Sequence, residues 1–219
     1  MRANDSPKSL GNPAEVDARK ALLHHAHISP LTEFVEELRY EAGKTKEVPY
    51  FDPWDGGIEA ECLFLLEAPG RRAVDSGFIS RNNPDETAKN WFELNLAVGI
   101  RRERTISWNL VPWYIGSELR IRPARSNDIQ EGWPCLQRLI ALLPRLRVVA
   151  LLGRNAQSIS DQLLESYPAL RIFKLPHPSP LFVNHAPGNR ERLKSELIEV
   201  RKALDFSLPT EAEPTEPEP

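Results

Sequence analysis

The stretch CLFLLEAPG, residues 62–70, decides the fold. Five apolar residues, 62 to 66, have the length of a buried strand rather than of a helix, and Ala68-Pro69-Gly70 stops regular structure directly after them. Glu67 stands between the two. A carboxylate at the end of a buried run costs free energy unless it is solvated, paired or used. Its position therefore poses a chemical question as well as a structural one.

Three more short runs, residues 105–111, 148–152 and 171–175, are rich in branched or aromatic side chains and bounded by breakers, and read as buried strands. Helical patterns fall between and after them. One takes Asn83 as cap and Pro84 as its first residue, carries Ala88, Trp91, Leu94 and Val98 on one face, and stops at Gly99. A second, residues 127–143, repeats Leu136, Leu139 or Ile140, and Leu143; a third follows Gly153 with Ala156, Ile159 and Leu163. The last, residues 189–204, sets Leu193, Leu197, Val200 and Leu204 on one side, and a further helix over 31–42 is expected on the outside. Strands alternating with helices predict an α/β fold: a central four-stranded parallel sheet flanked by helices on both faces, because parallel strands need crossover connections.

The chain divides into an N-terminal extension, 1–30, an α/β domain, 31–206, and a tail, 207–219, whose four glutamates and repeated prolines predict disorder. Removing those four charges from the net −3 leaves +1 for residues 1–206. Between 101 and 125, six arginines (101, 102, 104, 120, 122 and 125) face only Glu103 and Glu118, a local excess of +4 that suits a polyanion if a solvated loop does not explain it. With 41% hydrophobic and 27% charged residues and no apolar run near the roughly 20 residues of a membrane span, the composition fits a soluble protein with no membrane partner. The first 20 residues lack the apolar core of a secretory signal, so a cytoplasmic location and a monomer are expected. Cys62 and Cys135 read as buried free thiols and cannot make a four-cysteine cluster, and His24, His25 and His27 have no acids at ligand spacing, so no metal is expected.

In open parallel sheets, ligands bind outside the carboxyl ends of the strands. EAPG, GRN and PHPSP follow the first, third and fourth predicted strands and NLVPW ends the second, so Glu67, Asn109 and His177 should converge on one crevice, with the aromatic Phe78 nearby. An amide pairs with an amide-like edge by donating and accepting at once, and a ring stacks on a flat heterocycle, so the set suits a nucleobase. Pro176 and Pro178 on either side of His177 restrict its backbone.

These residues resemble the uracil-DNA glycosylase superfamily over residues 63–193. Leu66-Glu67-Ala68-Pro69-Gly70 is similar to that family's Gly-Glu-Ala-Pro-Gly motif, and His177-Pro178-Ser179-Pro180-Leu181 to its His-Pro-Ser-Pro motif. The resemblance implies that Glu67 positions the attacking water or stabilises the cationic sugar, and that His177 stabilises negative charge on the departing base at its O2. It further implies that Ala68, Pro69 and Gly70 contact the base, Phe78 stacks on it and Asn109 reads its edge. Ser179, Pro180 and Leu181 would meet DNA, with Leu181 the wedge entering where the base has left, and Arg101 and Arg102 would contact phosphates. Leu66 replaces the motif's first glycine and the cluster-binding cysteines are absent, which marks a cluster-free relative needing no metal or organic cofactor.

The implied activity is that of a monofunctional DNA glycosylase in base-excision repair, removing uracil, and in the wider reading other deaminated bases, to leave an abasic site. No lysine lies in either motif to form a Schiff base, which predicts hydrolysis without strand cleavage. The alternative is a non-catalytic nucleic-acid or nucleotide-binding relative of the same fold; a nucleoside hydrolase would leave Leu181 and the arginines without a purpose.

Overall fold

The computed structural model describes residues 5–43, 46–117 and 122–206, and these residues form six strands and nine α-helices. The strands are β1 (Tyr50–Phe51), β2 (Cys62–Leu66), β3 (Phe78–Ile79), β4 (Thr105–Asn109), β5 (Val148–Leu152) and β6 (Arg171–Leu175). The helices are α1 (Pro13–Lys20), α2 (Ser29–Ala42), α3 (Arg71–Ser76), α4 (Glu86–Val98), α5 (Ser126–Ala141), α6 (Arg154–Gln157), α7 (Ser160–Ser166), α8 (Pro180–Val183) and α9 (Asn189–Asp205). The expected acidic tail lies outside the described residues.

The expected parallel sheet is present, in the order β4-β2-β5-β6, and β1 pairs with β3 in a small parallel ribbon. Side chains alternate between the sheet's faces with the period of two that any strand imposes. Leu63, Leu65, Ile106, Trp108, Val149 and Leu151 point to one core, filled by α2 and α5. Cys62, Phe64, Val148, Ala150 and Leu152 point to the other, filled by α4 and α9. Helix α2 is more than an outer cover: its Leu31, Phe34, Val35 and Leu38 are buried in the first core, where Phe51 stacks on Trp108 at 3.8 Å.

Three boundaries differ from the sequence reading. β4 stops at Asn109 instead of 111, although the Leu110 and Val111 amides still donate to the Leu66 and Glu67 carbonyls at 2.8 and 2.9 Å; Pro112, without an amide hydrogen, ends the ladder. Helix α4 is capped by Asp85, whose carboxylate accepts from the Ala88 amide, while Asn83 bridges the Ser76 hydroxyl and the Phe78 carbonyl in the preceding turn. The helix expected after Gly153 breaks into α6 and α7, where the Ser158 hydroxyl donates to the Asn155 carbonyl and competes with the helical ladder.

The described part of the segment set apart as an extension, residues 5–30, packs against the domain. Leu10 and Leu23 bury Phe78. Asp5 accepts from Arg102 at 2.7 Å, and the fully buried Arg19 pairs with Asp52 while lying 3.4 Å over the Trp54 ring.

Candidate active site

The carboxyl ends of β2, β4 and β6 open on a crevice of about 480 Å³, lined among others by Glu67, Ala68, Pro69, Gly70, Asn109 and His177. The same convergence that parallel strands impose on their ends thus gathers six residues from three separate stretches of sequence.

Each of the three polar groups is held differently. Half-buried Glu67 accepts the Ala124 amide on Oε1 at 2.5 Å, and its backbone carbonyl accepts the Val111 amide. The loop bearing Ala124 is fixed in turn by Arg122, which forks onto both oxygens of Asp128 at 2.6 and 2.8 Å, while Asp128 also accepts the Arg125 amide at the start of α5. That fork holds the Asp128 carboxyl at about 2. Asn109 is buried at the end of β4, and its amide makes no hydrogen bond to any described residue, so both its donors and its acceptor are available to a ligand.

His177 sits in an extended turn between prolines, and Asn90 Nδ2 ties that turn to α4 by donating to the Pro178 carbonyl at 3.1 Å. Gly153 lies directly behind it. With φ 87° and ψ 164° this residue occupies backbone space essentially reserved for glycine, and a Cβ there would meet the His177 Cβ at 3.2 Å. Burial lowers the His177 pKa from its ordinary value, against the opposing pull of Glu67 and Asp85. At neutral pH the imidazole is uncharged, with one nitrogen to donate and one to accept.

Not every predicted residue is at the crevice. Phe78 is 0% exposed, enclosed by Leu10 and Leu23 and tilted against Tyr50; in the two-residue β3, alternation turns Ile79, not Phe78, to the crevice. It is therefore a core residue and stacks on nothing bound there. Arg102 is 6% exposed and donates to Asp5, Asp52 and Asp55, which removes it from any phosphate-binding surface. Arg101 is exposed, but it precedes the amino end of β4, at the opposite end of the strand from the crevice, and lies near Glu103. The basic segment is thus divided: Arg101, Arg102 and Arg104 lie at the far end, Arg122 lines the crevice with Arg125 close behind, and Arg120 is outside the described residues. Ser179 and Pro180 follow the crevice wall and start α8, on which Leu181 is 87% exposed.

Arg71 and Arg72, the first residues of α3, line the crevice and were not anticipated; the signal was the basic pair directly after EAPG. Arg71 is engaged by Asp75 at 2.8 Å, whereas Arg72 is mostly exposed and only 3.5 Å from the same carboxylate. Ser107 and Trp91 also line the crevice. The signal for Ser107 was its place two residues before Asn109 on one strand, and so on the same face.

The fold and the crevice define an α/β protein with a candidate ligand site at the carboxyl end of a parallel sheet. A family model described as the uracil DNA glycosylase superfamily matches residues 53–200, and the chain belongs to that superfamily. Membership supports a function of the glycosylase type. Among solved structures the chain is similar to SMUG2 of Pedobacter heparinus, at 14% identity and a TM-score of 0.56, over 84% of this chain and 87% of that one; this likeness concerns the fold. A candidate uracil DNA glycosylase of Methanosarcina acetivorans matches at 13% identity with a TM-score of 0.44, over 65% of this chain and 92% of that one. No curated protein matches the sequence.

Proposed function

We propose that this protein is a monofunctional DNA glycosylase that extrudes uracil from DNA and hydrolyses its N-glycosidic bond, leaving an abasic site. The observation that carries this reading is the meeting of a carboxylate, a free amide and a neutral imidazole, Glu67, Asn109 and His177, on one crevice of about 480 Å³. Extrusion costs a few kcal/mol, and the exposed Leu181 beyond the crevice offsets part of that cost by filling the vacated stack. Arg72 and Arg122 at the crevice, with Arg125, supply phosphate contacts in place of Arg101 and Arg102.

Bond cleavage leaves positive charge on the sugar and negative charge on the base. Glu67, aligned by the Ala124 amide, faces the first and orients water; the His177 N–H faces the second, with Asn109 on the base edge. A neutral imidazole suits this task because it stabilises developing charge without first having to lose or gain a proton. Among the described residues no lysine lines the crevice, in keeping with hydrolysis that leaves the strand intact.

The test uses end-labelled duplex DNA with one uracil opposite guanine, incubated without added metal and then split into alkali-treated and untreated halves. Alkali-dependent cleavage by the wild type, reduced about 100- to 1000-fold in Glu67→Gln and in His177→Ala, is the expected result. DNA binding without release of uracil, hypoxanthine or xanthine would refute the catalytic reading and leave a binding protein of the same fold.

A further inference from the structure

Two uncharged polar groups on the crevice wall, buried and without a hydrogen-bond partner, are not used by this mechanism. Ser107 is 4% exposed, and its hydroxyl has no hydrogen-bond partner among the described residues; the same holds for the indole N–H of Trp91, also 4% exposed. Both residues line the crevice. Both adjoin Phe64: Ser107 pairs with it in register, so the two share a face, and the Trp91 ring on α4 meets it edge-on at 4.7 Å. Asn109 is next along β4 on that face. Trp108 also has an unpartnered indole N–H, but it stacks on Phe51 in the core and lines no part of the crevice. A buried donor without a partner is costly, and at a ligand-binding wall the ligand can supply the partner.

We propose that Ser107 and Trp91 form a donor pair that reads the O4 carbonyl of the extruded base, making them specificity-determining residues in addition to Asn109. This inference rests on the glycosylase reading above. An indole N–H can only donate, and a serine hydroxyl can donate to the same oxygen. A carbonyl oxygen has two lone pairs and satisfies both groups. An exocyclic amine at that position, as on cytosine, sets N–H against N–H and leaves Trp91 unpartnered. The wall therefore selects an oxygen where the undamaged pyrimidine carries an amine, and rejection arises from the buried group that would be left unpaired.

The test compares wild type, Ser107→Ala and Trp91→Phe in single-turnover release of uracil, 4-thiouracil and 2-thiouracil from otherwise identical DNA. Sulfur accepts hydrogen bonds weakly, so wild type should lose about tenfold on 4-thiouracil relative to uracil. Each variant should lose about tenfold on uracil and show a smaller penalty for sulfur at position 4, while the penalty at position 2, on the His177 side, stays as in wild type. The Tm of Ser107→Ala should be unchanged or higher, since a buried unpartnered hydroxyl is removed. Equal losses on all three substrates, or an unchanged position-4 penalty in both variants, would overturn the assignment and leave the glycosylase reading intact. If wild type releases no base, the glycosylase reading falls, and the indole N–H resonance of Trp91, identified by its loss in Trp91→Phe, decides: a shift on adding free uracil sustains the donor pair, and no shift overturns it.

Discussion

His177 shows how a single residue is tuned by its surroundings. Its burial disfavours the imidazolium, and Glu67 and Asp85 recover only part of that loss. The NMR titration midpoint of His177 should therefore lie below its ordinary value, and Asp85→Asn should lower it further because one source of stabilisation for the cation is gone. The unfolded chain binds this proton more readily than the folded one, so stability is full above the ordinary midpoint and declines as pH falls through the folded midpoint. Base release that needs the neutral ring should persist below pH 6.5 and fail only near the folded midpoint, shifted with it in Asp85→Asn. Of the residues involved, Glu67 and His177 were legible because each follows a strand end, the first just before Pro69 and Gly70, the second between Pro176 and Pro178. Phe78 was misread because a strand of two residues has no periodicity, and the side chains enclosing it, Leu10 and Leu23, are more than 50 residues away in sequence.

At the scale of elements, glycines set how closely backbone segments approach. A Cβ on Gly132 of α5 would sit 2.1 Å from the Leu110 carbonyl oxygen, one residue beyond Asn109. Gly132→Ala should push α5 away from the end of β4, lowering both Tm and base release. Gly153→Ala should cost about 1–3 kcal/mol in denaturant unfolding, because its backbone angles suit glycine alone, and should reduce base release by displacing His177. The four main strands and the two-sided sheet were legible from short apolar runs with alternating helices. The break between α6 and α7 was not, because Ala156, Ile159 and Leu163 keep helical spacing across it.

Across the whole molecule, the division of the basic segment separates arginines that hold the fold from those at the crevice. Burial pushes the Asp52 carboxyl upward, but Arg102, Arg19 and the Ser80 hydroxyl outweigh it and hold it at about 2. Its stabilisation is present above the ordinary carboxylate value of 3.8 and is lost as pH falls toward about 2, which thermal melts across that range should register. Arg102→Gln should destabilise by about 3–5 kcal/mol, because it leaves buried carboxylates without their cation, and should not change the salt dependence of DNA binding. Arg72→Gln should do the reverse, leaving Tm unchanged and reducing the salt slope by about one counterion. Sequence composition counted these arginines together; only the direction of β4 shows that residues 101–104 and 122–125 lie at its opposite ends.

The packing of residues 5–30 on the domain also orders events during synthesis. Arg19 leaves the ribosome well before Asp52, and Asp5 waits for Arg102, 97 residues further on, so residues 5–30 find these ionic partners only after later segments have been made. Until then Leu10 and Leu23 have no Phe78 to cover, and they stay open to chaperones and proteases.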